Sequence, residues 1–180
     1  MTEPSTSVYK IREAGREDAP LLLGLIQGAF QTVYDRLGLT PAGWPYHAAN
    51  LKPEAILRNM DEGRRYWVLE SPAGPYGCVG LDVPEPGTAK VRRLAVLPSH
   101  RHRGLGRRLV DHVLSEARRM GARRAILAMF ADDLDLQHWY ERMGFRVTET
   151  KAHDGVPVLV THMALDLGAG VPSGGGNPGK

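Results

Sequence analysis

The clearest periodicity in the chain lies between residues 105 and 120. Leu105, Leu109, Val113, Leu114, Ala117 and Met120 recur at three- and four-residue steps, which is one face of an α-helix. Gly121 follows as a stop. The pattern predicts a helix from Arg107 to Met120. On either side stand short apolar runs of strand length, Thr88 to Leu97 and Arg124 to Phe130. Upstream, Val8 to Arg12 reads as a strand. Asp18 to Arg36 reads as a helix, with Asp18 as the N-cap and Pro20 in the first turn. Leu37 to Asn50 reads as a loop rich in Gly, Pro and aromatic residues, and Pro53 to Glu62 as a second helix. Arg65 to Glu70 and Tyr76 to Val83 read as a hairpin closed by Ser71-Pro72-Ala73-Gly74-Pro75, followed by a turn at Pro84-Glu85-Pro86-Gly87. Downstream, Leu134 to Met143 reads as a short helix stopped by Gly144. Phe145 to Lys151 and Val156 to Leu165 read as the last strands.

This order of elements predicts a mixed α/β or α+β sheet with helices packed on it. The unit from Thr88 to Phe130 should be a right-handed crossover between parallel strands. The 180 residues suit one domain with a real core, expected over residues 8–167. Residues 1–7 should form a flexible N-terminus. Residues 168–180, rich in Gly and Pro without an apolar pattern, should form a disordered tail.

The single cysteine, Cys78, rules out an internal disulfide and a multi-cysteine zinc site, and its apolar setting predicts an inert buried thiol. The seven histidines show no HExxH pairing, so no metal is expected. Met1 to Ser7 lacks the basic start and apolar core of a signal peptide, and the longest apolar stretch, Leu21 to Phe30, is too short to span a bilayer. A cytoplasmic protein without a membrane partner is the expectation.

Charge changes the picture. The formal net charge is +3, yet Lys90 to Arg124 carries eleven basic residues against only Asp111 and Glu116. That positive segment surrounds the turn Arg101-His102-Arg103-Gly104-Leu105-Gly106, which joins the strand ending at Pro98 to the amphipathic helix. A helix start offers unpaired N–H groups and the positive end of its dipole, and glycines let the backbone approach an anion. A triphosphate P-loop would need Lys and then Ser or Thr after the last glycine, where Arg107 and Arg108 stand. A dinucleotide fold would need three spaced glycines near the first strand, and here two glycines lie mid-chain.

The pattern Arg101-x-x-Gly104-x-Gly106 after Leu94-Ala95-Val96-x-Pro98 resembles motif A of the GNAT superfamily of N-acetyltransferases. Trp139-Tyr140-Glu141-Arg142-Met143-Gly144-Phe145 resembles a second signature of that family, and the order of elements from Val8 to Leu167 agrees. The resemblance implies one domain with a mixed, mostly antiparallel seven-stranded sheet and about four helices. Its central parallel pair of strands is splayed where the cofactor enters. It implies acetyl-CoA as cosubstrate, with its pyrophosphate on the N–H groups of His102, Arg103, Gly104, Leu105, Gly106 and Arg107. The pantetheine arm would pair with Leu94, Ala95 and Val96, and an N–H near Val96 would polarise the thioester carbonyl. Arg101 would order the turn or meet phosphate, and Arg103, Arg107 and Arg108 stand within reach of the phosphates. Tyr140 would be the general acid that protonates the departing thiolate.

Two positions depart from the family pattern. Lys90 stands where many members carry a glutamate acting as base through water. Asp133 stands where an asparagine is usual, leaving a contact to the cofactor or a helix cap as its roles. Asp82, Glu70, His138 and His162 are candidate bases. The Leu37–Asn50 loop is expected either to wall the acceptor pocket or to be stapled to the core by Trp44. The acceptor is expected to be a small-molecule or peptide amine, and a homodimer is allowed for. The competing readings are an acyl-CoA-binding sensor on the same fold and a nucleic-acid binder. The latter ranks last, because the basic residues flank a glycine turn without interleaved aromatics.

Overall fold

A computed structural model describes residues 9–40, 42–45 and 47–168. Seven strands form one sheet in the order β1-β2-β3-β4-β5-β7-β6. They are β1 (Lys10–Glu13), β2 (Arg65–Ser71), β3 (Gly74–Glu85), β4 (Thr88–Val96), β5 (Arg124–Phe130), β6 (Arg146–His153) and β7 (Val156–Asp166). The helices are α1 (Ala19–Arg36), α2 (Pro53–Asp61), α3 (Leu105–Arg119) and α4 (Leu134–Glu141). The predicted elements are all present, with shifted ends. The N-terminal and tail expectations, with Val8, lie outside the described residues apart from Gly168.

The shifts have local causes. Asp18 precedes α1, but its carboxylate caps no helical N–H. It accepts instead from Gly15 N–H at 2.9 Å and from both terminal nitrogens of Arg12, at 2.7 and 2.8 Å, closing a 3₁₀ turn over Arg16–Asp18. Helix α3 begins two residues earlier than predicted, at Leu105, because Gly104 takes φ +75° as the N-cap and turns the chain directly into the helix. Phe145 belongs to no strand and is fully buried.

Two apolar layers sandwich the sheet. On one face Leu105, Leu109, Val110, Val113, Leu114 and Ala117 of α3 pack with Trp67, Leu69, Val79, Val91, Leu127, Tyr140 and Phe145. On the other, Leu22, Leu25, Ile26 and Ala29 of α1 and Ile56 of α2 cover Tyr66, Val68, Cys78 and Ala95. Each Val, Leu, Ile or Phe among them stabilises the fold by about 1.5–3 kcal/mol on full burial. Cys78 is completely enclosed there, and burial pushes its thiol up to about 12, which makes it inert.

The central parallel pair positions the site. β4 and β5 pair only at Thr88–Arg124, Ala89–Ala125 and Lys90–Ile126. Beyond Lys90 the two strands part. On its other side β4 stays paired with β3 to the end, but with a register break between Cys78–Ala95 and Gly80–Arg92. At this bulge Arg93 takes φ +51°, a conformation few non-glycine residues adopt. β3 lies so close that a Cβ on Gly77 would sit 2.6 Å from the Ala95 carbonyl oxygen, so glycine is required there.

Candidate active site

The turn after β4 presents a row of unsatisfied donors. The first hydrogen bond of α3 runs from Arg108 N–H to the Gly104 carbonyl at 3.1 Å. Among the described residues, the N–H groups of His102 to Arg107 make no backbone hydrogen bond, and no side chain caps the helix. His102 at φ +60° and Gly104 at φ +75° bend the chain so that successive N–H groups can face one anion. No acidic residue occupies the first turn of α3.

Arg101 is committed to holding this turn in place. Its Nε donates to the Val96 carbonyl at 3.2 Å, Nη1 to Thr32 Oγ1 at 3.0 Å and Nη2 to the Ala29 carbonyl at 2.6 Å. It therefore braces the end of β4 against α1. Arg107 pairs with Asp111 at 2.8 Å, and Arg108 donates to the Tyr9 carbonyl at 3.1 Å. These contacts engage only Nε of Arg107 and one terminal nitrogen of Arg108, so both guanidinium groups keep donors at the helix start beside the Arg107 backbone N–H. Trp139 of α4 covers the same turn: a Cβ on Gly106 would lie 3.5 Å from its ring. The two sequence signatures are thus in contact.

Beside the turn, the parted strands expose one edge of β4. Leu97 N–H bonds the Tyr76 carbonyl at 2.9 Å, toward β3. Strand alternation then directs the N–H groups of Val96 and Leu94 toward the gap, and those of Ala95 toward β3. The gap widens into a cavity of about 260 Å³. Its walls come from both sides of the sheet: Leu127, Met129, Leu136 and Tyr140 on the α3–α4 side, and Phe30, Val33, Trp44 and His47 on the α1–α2 side. Tyr140 is 6% exposed and meets Trp139 and Phe145 edge-to-face at 4.9 and 5.6 Å. Burial pushes its phenol well above the usual range. Tyr140 therefore holds its proton firmly and is also a core residue.

The candidate bases separate clearly. Burial works to raise Asp82, but hydrogen bonds from Arg64 (3.0 Å) and Arg92 (2.7 Å) outweigh it and hold the carboxyl below its usual range. Glu70 pairs with Lys10 and Arg12 at 3.3 and 3.2 Å on the β1–β2 side of the sheet. His138 is exposed on α4, and His162 faces His153 with their Nε2 atoms 2.8 Å apart. None of these four lines the cavity. Asp133 does: it caps α4 by accepting from Leu136 N–H at 3.1 Å, and it pairs with Arg36 at 3.2 Å.

Three residues on the wall were not singled out by sequence as acceptor-side groups: Arg93, His47 and Lys90. Trp44 and His47 bring the Leu37–Asn50 loop into the core, 7% and 2% exposed; His47 stacks on Phe130, and Trp44 meets Phe130 edge-to-face and His47 at a tilt. Trp44 thus staples the loop to the core as one expectation had it, and the same buried face lines the cavity. A signal for Arg93 existed: Arg92-Arg93 breaks the period-2 alternation of β4, as a bulge does. Among the described residues no helix is long and apolar enough to cross a membrane, and no group of three or more metal-ligating side chains is gathered.

A helix start stripped of acids, next to a sheet opened at one parallel pair, gives this α/β protein a cradle with the shape and charge for an extended anion. Residues 31–145, which contain the turn and Tyr140, match the acetyltransferase (GNAT) family. The chain belongs to that family and is an acyltransferase. Its fold is similar to that of the ribosomal-protein-S18-alanine N-acetyltransferase from Escherichia coli, with a TM-score of 0.72 and 19% identity over 92% of this chain and 98% of the other. A candidate acetyltransferase from Salmonella typhimurium, solved with its cofactor acetyl-CoA, matches with a TM-score of 0.68 and 21% identity over 88% and 94%. A spermidine N-acetyltransferase chimera from Vibrio cholerae matches with a TM-score of 0.67 and 16% identity over 89% and 96%. Identities this low establish the shared fold and leave the acceptor open.

Proposed function

We propose that the protein transfers the acetyl group of acetyl-CoA to an amine by direct attack within a ternary complex. The observation that carries this reading is a row of unpaired N–H groups, His102 to Arg107, ending at a sheet opening lined by Tyr140. The cradle suits the cosubstrate. The turn offers donors and a helix dipole to a diphosphate, and the Leu94 and Val96 edge of β4 offers amide partners to the pantetheine arm.

Acetyl-CoA supplies an activated carbonyl as a thioester. Val96 N–H, directed into the gap, donates to the carbonyl oxygen as negative charge develops there. The acceptor nitrogen bonds to the carbonyl carbon, the carbon–sulfur bond breaks, and the nitrogen releases one proton to water. Tyr140 gives its phenolic proton to the departing sulfur and recovers one from solvent. A phenol is already a weaker acid than a thiol in water, near pKa 10 against about 8.5, and burial raises the Tyr140 phenol further, so the transfer depends on the phenol standing directly against the departing sulfur.

The cavity wall lacks a free carboxylate base, and its cations supply an alternative. Burial, and then Arg92, lower Lys90 from its usual value, while Arg93 adds a second positive charge on the wall. A field of that sign disfavours an ammonium and shifts the acceptor toward the neutral amine. An α-amine, which titrates near pH 8, needs only a modest shift of this kind.

The test is acetyl-CoA titration by calorimetry, followed by an amine panel read by release of free thiol. Saturable binding with amine-dependent thiol release is expected. Binding without turnover on every amine, or no binding, would overturn the reading.

A further inference from the structure

The loop-side wall of the cavity carries hydrogen-bond donors with nothing to donate to. Arg93 lines the cavity at a strained φ of +51°. Its neighbours Arg64 and Arg92 share Asp82, but Arg93 has no hydrogen bond or ion pair among the described residues. Lys90, on the same wall, has no ion pair among them either. His47 is the third. Its Nδ1 accepts from Ala49 N–H at 3.1 Å, so the neutral ring carries its proton on Nε2. That Nε2 is buried and unpartnered. Burial, and then Arg93, push the imidazole down to about 4, so it stays a neutral donor at pH 7.

Unpaired cations and orphan donors in a partly desolvated pocket are costly unless a ligand satisfies them. The lining holds one carboxylate, Asp133, already engaged by Leu136 N–H and Arg36. A polycationic acceptor would meet Lys90 and Arg93 with like charge. An acceptor bearing an anionic group would pair with both and accept a hydrogen bond from His47 Nε2–H.

Resting on the acetyl-transfer reading above, we propose that the acceptor is a small amine that also carries an oxyanion, such as an amino acid carboxylate or an aminoalkyl phosphonate. Arg93 is its principal anchor, assisted by Lys90 and His47. The strained bulge at Arg93 is then what aims the guanidinium at the substrate. An amine anchored there lies beside the cations that favour its neutral form.

The experiment compares matched pairs: glycine with glycinamide, leucine with leucinamide, and aminoethylphosphonate with ethanolamine, with spermidine as the cationic arm. The anionic member of a pair should show at least about tenfold higher kcat/KM, corresponding to one charge-assisted contact. Preference for the carboxylate or the phosphonate pair identifies the anion. Arg93→Asn tolerates positive φ and should bring the ratio within about twofold, whereas Arg93→Lys should retain part of it. The acetyl-CoA KM should not change in either variant. Preference for neutral amides or spermidine, or a ratio that survives in Arg93→Asn, overturns the proposal while leaving the acetyltransferase reading intact. Absence of transfer to every amine instead overturns the acetyltransferase reading, and this proposal with it.

Discussion

The glycine turn and the loop-side wall of the cavity are both built from unsatisfied donors, by opposite means. In the turn the donors are backbone N–H groups contributed by six consecutive residues, His102 to Arg107. On the wall they are side chains from distant segments: His47 in the α1–α2 loop, and Lys90 and Arg93 in β4. A backbone site requires only that the chain follow one path, which glycine at positive φ permits. It can therefore serve the same cosubstrate whatever the surrounding side chains are. A side-chain site changes with every substitution and suits the variable partner. The contrast places constant chemistry on the main chain and selectivity on the side chains.

Three measurements would break or sharpen that contrast. The largest effect is expected where the two regions meet. Tyr140→Phe removes the acid while keeping the ring packed on Trp139 and Phe145, so kcat should fall about 100-fold or more with both KM values little changed. An unchanged kcat would assign Tyr140 to the core alone. Next, Gly104→Val forces a β-branched residue to φ +75°, a strain of roughly 1–3 kcal/mol. The acetyl-CoA KM should rise about tenfold or more while discrimination among amines is kept. A change in amine preference instead would mean that the turn and the wall are not separate.

The smallest effect concerns His47. Its folded value, pushed down to about 4, lies below the ordinary value of 6.5. The unfolded chain therefore takes up this proton first, and stability should fall as pH drops from about 6.5 toward 4. A His47→Gln variant should lose fewer degrees of Tm than the parent between pH 7 and 4.5, read by thermal melts. Equal losses would show that the imidazole is not buried neutral.

Legibility in the sequence follows the same division. The turn could be read because its chemistry is consecutive: Arg101, Gly104 and Gly106 between a strand and a helix exclude most alternatives. Tyr140 could be read only through a resemblance, since a buried tyrosine beside Trp139 is equally a core residue. Asp82 and Glu70 looked like bases because their partners are remote in sequence: Arg64 is 18 residues from Asp82, and Arg12 is 58 from Glu70. For Arg101 the sequence left ordering the turn and meeting phosphate as alternatives, and the partners that show it bracing the turn, Ala29 and Thr32, lie 72 and 69 residues away.

By itself the sequence determined the elements, their order, the parallel crossover and the glycine turn with its row of free N–H groups. All of these depend on local spacing, helix and strand periods and the conformational range of glycine. The tertiary structure alone decided that β4 and β5 part after Lys90, that Arg93 turns inward at a bulge, and that the buried face of the 37–50 loop becomes a cavity wall. Those features depend on which distant groups are paired and which are left without a partner. Pairing across a sheet is a property of three-dimensional contacts, and no local pattern encodes it.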